Sequence, residues 1–275
     1  MPPQEISRSK RSASHHSPRP LAVLALLSLL LSALPAHAAS QAEVDGARVT
    51  LRVLEDGAKL RGVLDIELRP GWKTYWVSPG PVGLAPQIDL SASEDVSHPH
   101  VAYPVPTRFK EGDVESIGYT EPVGFAIEAD RAPGTRPVLR AGIVLGLCRE
   151  LCLPVQLQLE AEPSTSLDTR AAVRRALDAL PAGAASADGW KATLSGDARQ
   201  LTVHAPSQPS ERIEDVFVAA PEGWAFGEPS GAQGGVWTLP VLAAPSSGQV
   251  PERVDLVLTD GEKGELIPAL PVGRD

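Results

Sequence analysis

Past its N-terminus, this sequence has no stretch approaching the eighteen or so consecutive apolar residues that a membrane-crossing helix needs. The chain that follows the leader is therefore expected to be soluble. Positive charge is also scarce: 25 lysines and arginines stand against 34 acidic residues, for a formal net charge of −9. That balance argues against nucleic acid or anionic lipid as a partner. There is no Gly-rich phosphate loop and no Ser-His-Asp order, which leaves nucleotide-binding and hydrolase readings without support. His98-Pro-His100 has no nearby third ligand, so it reads as a solvated loop and no metal site is assigned. Aromatic residues make up only 4% of the chain, and cysteines number 2.

What is present begins with a leader. Arg8, Lys10, Arg11 and Arg19 precede an apolar run over residues 21–34, and Pro35-Ala36-His37-Ala38 supplies a small-x-small cleavage pattern. Residues 1–38 are read as a cleavable signal peptide of ordinary secretion, since Lys10-Arg11 is not followed by the rest of a twin-arginine signal. Removing it takes away more positive than negative charge and leaves a still more acidic protein. Export also places the cysteines where a disulfide persists.

The two cysteines lie in Cys148-Arg-Glu-Leu-Cys152-Leu-Pro154, between apolar runs. Downstream, Val155, Leu157 and Leu159 alternate with Gln156, Gln158 and Glu160, the period of a half-buried strand. Residues four apart on one straight strand are about 13 Å apart, beyond the reach of a disulfide. A hairpin with Arg149, Glu150 and Leu151 as its loop brings them face to face at about 4.5–5.5 Å. Cys148 and Cys152 are therefore placed at the mouth of a β-hairpin, able to bridge. So short a loop gains little chain-entropy stabilisation, which suits a reducible bridge, but spacing alone leaves a structural role equally open.

Along the chain the pattern is mainly β. Val49, Leu51 and Val53, then Leu60, Leu64, Ile66 and Leu68, form two period-two runs about a Glu-Asp-Gly turn. Trp72, Tyr75 and Trp76 crowd three aromatics into five residues, a core strand or an aromatic wall beside the cysteines. A short strand is predicted over 88–96, an acidic loop over 110–115, and strands again over 116–119 and 123–127. Residues 165–180 form the one clear helix: Thr165 with Asp168 matches a capping box, Val173, Leu177 and Leu180 share a face, and Pro181 and Gly183 stop it. Beyond it, short strands are predicted over 190–194, 201–205, 216–219, 236–242 and 254–258. Pro70-Gly-Trp72 and Glu222-Gly-Trp224 hint at an internal repeat.

A set of motifs occurs in a recognisable order: Gly71-Trp-Lys-Thr-Tyr-Trp76, Pro79-Gly80, Gly83-Leu84, Pro86, Tyr103-Pro104-x-Pro106-x-Arg108-Phe109, Gly118-Tyr119 and Cys148-x-x-x-Cys152-x-Pro154. Together they resemble the N-terminal periplasmic region of the thiol:disulfide interchange protein DsbD, and more closely that of its relatives in the suppressor-of-copper-sensitivity (ScsB) group. The resemblance covers about 47–163. It implies an immunoglobulin-like sandwich with Cys148 and Cys152 as a redox-active pair, taking electrons from a membrane protein and passing them to periplasmic thioredoxin-fold partners. It also implies a protective cap over the pair, with Tyr119, Ile117, Trp76 and Phe109 as its candidates. The family's cap uses a phenylalanine, where the loop over 116–119 here offers Ser116, Ile117 and Tyr119. The membrane span and terminal thioredoxin domain that complete the family's electron path are not found in this sequence, so separate proteins are expected to supply them.

The expected architecture is mainly β: a signal peptide (1–38), a redox-active β-sandwich (39–163), a helical linker (164–183) and a second small immunoglobulin-like β-domain (184–275). The expected activity is periplasmic thiol–disulfide exchange, a protein-disulfide oxidoreductase with no small-molecule cofactor and no nucleic-acid partner. The alternatives are a non-enzymatic binding or assembly module with a structural disulfide, and copper binding through the reduced thiols.

Overall fold

The computed structural model describes residues 39–183, 187–207 and 213–275; the expected signal peptide lies outside the described residues. In the first half the strands are β1 (Gln41–Val44), β2 (Ala47–Asp56), β3 (Lys59–Leu68), β4 (Lys73–Tyr75), β5 (Gln87–Asp89), β6 (Val96–Ala102), β7 (Thr107–Glu111), β8 (Val114–Tyr119), β9 (Val123–Arg131), β10 (Leu139–Cys148) and β11 (Cys152–Ala161). They form two sheets, ordered β1-β2-β3-β9-β6 and β11-β10-β4-β8-β7, with β5 paired to β10. Strand alternation builds the core between them. Val49, Leu51 and Val53 of β2, Leu64 and Ile66 of β3, and Phe125 and Ile127 of β9 face the odd-numbered residues of β10: Leu139, Ala141, Ile143, Leu145 and Leu147. The even-numbered residues of β10, ending at Cys148, therefore belong to the opposite face of the second sheet.

Two expectations shift here. The strand expected over 88–96 is two separate segments, β5 and β6, and His98-Pro-His100 lies within β6. The acidic loop expected over 110–115 is the end of a hairpin in which β7 and β8 pair from Thr107↔Gly118 to Glu111↔Val114. Gly112, at φ 63°, takes the left-handed backbone of its tight turn. A one-sided apolar pattern is hard to see there because Lys110 and Glu115 pair across the ladder at the sheet edge.

The helix α1 spans Leu167–Asp178, shorter at both ends than the expected 165–180. Its cap is Ser166, whose hydroxyl accepts the backbone N–H of Thr169 at 3.1 Å, in place of the Thr165/Asp168 box. Its buried face is Thr169, Ala172, Val173 and Ala176, packed on Val63 and Ala126 of the first sheet. The alanines let the helix approach closely enough to cover the sheet's outer face. Among the described residues, no helix is long and apolar enough to cross a membrane.

The second half contains β12 (Ala182–Gly183), β13 (Lys191–Leu194), β14 (Gln200–His204), β15 (Asp215–Ala219), β16 (Ala225–Phe226), β17 (Ser230–Gln233), β18 (Val236–Ala243), β19 (Arg253–Thr259) and β20 (Gly264–Arg274). The order is β15-β19-β20-β13-β14-β18-β16, with β12 on β20 and β17 on β18. Strand β20 runs antiparallel to β19 and then, from Val272, parallel to β13, so it links the two layers. Between them lies a core of Leu194, Leu201, Val203, Val216, Trp237, Leu239, Leu256, Ile267 and Leu270. The whole is mainly β, two immunoglobulin-like domains with one short helix between them. Strand β20 had no counterpart among the strands expected from sequence, because Pro268 and Pro271 interrupt its pattern. Phe217 and Val257 of the second domain join the core of the first.

Candidate functional site

Cys148 ends β10 and Cys152 begins β11, and the two face each other as the last register pair of that hairpin. Their Cα atoms are 4.1 Å apart and their sulfurs are joined in a disulfide. The short turn of Arg149, Glu150 and Leu151 leaves Leu151 largely exposed. The two cysteines differ sharply in exposure: Cys148 is 1% exposed, whereas Cys152 is an exposed residue.

The next strand over explains the difference. Lys73 and Thr74 of β4 pair with Cys148 and Leu147. Alternation along β4 then puts Lys73 and Tyr75 on the cysteine face, with Thr74 and Trp76 pointing the other way. The Tyr75 hydroxyl lies 2.8 Å from Cys148 Sγ and 2.9 Å from Cys152 Sγ. Its ring lies against Gly146, where a Cβ would come within 2.7 Å of a ring carbon, and against Gly83, where a Cβ would come within 2.9 Å. Two glycines thus open the slot that lets the ring reach both sulfurs.

The hairpin of β7 and β8 completes the cover. Phe109 is opposite Ser116, on the cysteine face, with its ring centroid 6.1 Å from that of Tyr75. The Lys73 ammonium stands 5.0 Å above the Phe109 ring and donates to the Lys110 carbonyl at 3.3 Å. Lys73, Tyr75 and Phe109 therefore form a layered cover beside Cys148.

Of the four residues considered for the cap, Phe109 lies on the cysteine face beside Tyr75. Ile117, Tyr119 and Trp76 have the opposite parity and lie in the core between the sheets. Tyr119 donates to the Pro104 carbonyl at 2.8 Å and packs on Phe125, and Trp76 meets Phe217 edge-on at 6.0 Å. From the aromatic trio the sequence reading singles out Trp76, but the residue that meets the sulfurs is its neighbour Tyr75. The signal was the strand period: once Lys73 is set opposite Cys148, Tyr75 must share its face.

Among the described residues, no group of three or more His, Cys, Asp or Glu side chains is placed to hold a metal ion. His98 contacts Asp130 at 3.2 Å on the surface. Three clefts lie away from the sulfurs: one of about 490 Å³ beside α1 lined by Asp65, Tyr119 and Arg175, one of about 510 Å³ between the domains, and one of about 610 Å³ lined by Arg61, Arg170 and Asp178. The sulfurs themselves sit at a surface hairpin, a shape that suits contact with another protein's surface.

Residues 40–163 match the family described as thiol:disulfide interchange protein DsbD, N-terminal. The chain is also similar in structure to the N-terminal periplasmic domain of ScsB from Proteus mirabilis, with a TM-score of 0.66 and 23% sequence identity over 86% of this chain and 98% of that one. No curated protein matches the sequence. The resemblance read from the ordered motifs is thereby shown: the segment 40–163 is DsbD-N-like, and the fold across both β-domains is that of the ScsB domain. Together with the Cys148–Cys152 disulfide, the match supports a thiol–disulfide exchange domain.

Proposed function

We propose that this protein relays electrons by thiol–disulfide exchange in the periplasm, between a membrane electron-transfer protein and thioredoxin-fold partners, using Cys148 and Cys152 as its exchange pair. The observation that carries the reading is the asymmetry of the pair: an exposed Cys152 bridged to a buried Cys148 under the Tyr75 hydroxyl. The DsbD-N-like match and the periplasmic origin of the ScsB domain support the compartment and the class of partner.

The chemistry follows from exposure. A donor's thiolate attacks Cys152 Sγ, a sulfur–sulfur bond forms between donor and Cys152, and the Cys148–Cys152 bond breaks. Cys148 leaves as a thiolate, with the Tyr75 hydroxyl placed to donate a hydrogen bond to it. The donor's second thiolate then attacks the donor's own sulfur in the mixed disulfide and releases Cys152. The domain has taken up two electrons, and the donor is left oxidised. Passing them on reverses the roles: the Cys152 thiolate attacks the acceptor's disulfide, and Cys148 attacks Cys152 Sγ to release the acceptor's thiolate.

The test is trapping. Cys148→Ala keeps the exposed nucleophile and removes the resolving thiol, so it accumulates a mixed disulfide through Cys152 with a thioredoxin-fold protein. Cys152→Ala traps none. The double replacement folds, because a bridge with a sequence separation of 4 contributes about 2 kcal/mol of chain-entropy stabilisation. Equal trapping by both single variants, or by neither, overturns the reading.

A further inference from the structure

The cover over the sulfurs is attached to the second domain. Arg108 precedes Phe109 on β7 and points to the opposite face. Its Nε donates to Asp215 Oδ2 at 2.8 Å, its Nη2 to Asp215 Oδ1 at 3.1 Å and to the Val216 carbonyl at 3.2 Å, and its Nη1 to Glu115 Oε1 at 2.7 Å. The guanidinium also lies over the Phe217 ring, 4.9 Å from its centroid. Phe217 in turn takes the edge of Trp76, the neighbour of Tyr75. Two adjacent pairs thus divide in the same way. Tyr75 goes to the sulfurs with Phe109 beside its ring, while Arg108 and Trp76 go to one strand, β15, of the second domain.

The attachment is placed where it is needed. In the sheet order β7 is the last strand, and among the described residues its ladder partner is β8. The side chain of Arg108 is 11% exposed and that of Asp215 is 20% exposed, so this is a partly desolvated, bidentate pair, stronger than a pair of freely solvated ions.

We propose that the second β-domain is a brace for the redox site: Asp215 and Phe217 are positioning residues that hold the Phe109 hairpin against Tyr75 and keep Cys148 covered. Its functional meaning rests on the exchange reading above, but its measurement does not. Asp215→Asn keeps an oxygen for the Val216 N–H and replaces the other with an N–H donor facing Arg108 Nε, which breaks the bidentate pair without changing side-chain size. Asp215→Glu retains the carboxylate.

The test uses the full chain carrying Cys152→Ala, in which Cys148 is the single thiol. Its alkylation by iodoacetamide is measured in native buffer relative to the same protein in denaturant. Asp215→Asn raises the native rate about tenfold or more, the change that losing a charge-assisted hydrogen bond produces in a local opening equilibrium. Asp215→Glu restores part of the protection, and Phe109→Ala raises the rate as Asp215→Asn does. Hydrogen exchange of the amides over 107–119 quickens in Asp215→Asn, while that of β2 and β3 does not. Three results overturn the proposal: an unchanged alkylation rate in Asp215→Asn, an unchanged rate in Phe109→Ala, or exchange that quickens equally in every strand. Failure to trap any partner through Cys152 would sink the exchange reading and leave this result standing.

Discussion

The hydroxyl of Tyr75 lies 2.8 Å from Sγ of Cys148, on a sulfur that is otherwise closed to solvent. The contact depends on residues far apart in sequence. Gly146 on β10 gives up a side chain so that the ring fits, and the pairing of β4 with β10 sets which face the ring occupies. A hydrogen bond to a neutral disulfide sulfur is weak, whereas one to a thiolate is charge-assisted. The hydroxyl therefore acts mainly on the reduced or departing sulfur.

Tyr75→Phe separates these states. The oxidised protein keeps its fold, since the ring and its packing remain. Reduction by dithiothreitol slows about tenfold or more, the equivalent of a charge-assisted hydrogen bond of about 1.5–3 kcal/mol. Stopped-flow reduction measures this, and an unchanged rate constant removes the role assigned to the hydroxyl.

Gly118→Ala tests the joint between the covering hairpin and the sheet. A Cβ there would come within 2.2 Å of the Thr74 carbonyl oxygen and 2.7 Å of the Tyr75 Cα, both backbone atoms that cannot swing aside. Strand β8 must separate from β4. The expected loss is about 1–3 kcal/mol or more, typical of overpacking, read from urea unfolding. Loss of the Tyr75 contact should accompany it, with slower reduction as in Tyr75→Phe. A variant as stable as the parent shows that the two strands have slack between them.

Alkaline pH tests the core between the sheets. Burial pushes the Tyr103 hydroxyl up to about 12, and Tyr119 is raised well above its ordinary value, first by burial and then by the neighbouring Tyr103. In the unfolded chain both ionise near pH 10. Above that pH the unfolded state has released protons that the folded state still holds. The stability they confer is complete below about pH 10 and is lost as pH rises toward 12. Tyr103→Phe should flatten this fall without abolishing it, because Tyr119 continues to contribute. Unfolding curves between pH 9 and about 12 decide the matter, and identical slopes in parent and variant contradict it.

Much of this protein could be read in one dimension. The period-two runs of β2, β3 and β11 record which side of each strand meets the core, a local property of an extended chain. The spacing of Cys148 and Cys152 admits a bridge once the flanking runs are strands, because a short turn is then the way to bring the sulfurs together. Motif order identified the DsbD-N-like segment. Other features required strands to be set side by side. Tyr75 and Trp76 are equivalent as sequence, and so are Phe109 and Tyr119 as cap candidates; the register of β4 on β10 and of β7 on β8 sends one of each pair to the cysteine face and the other to the core. Cys148 and Cys152 look alike along the chain, and their difference in exposure arises from what packs over them. The tie from Arg108 to Asp215 spans 107 residues and joins two domains with separate local patterns. Periodicity carries the orientation of each strand but not the identity of its neighbour, and it is the neighbour that makes this site.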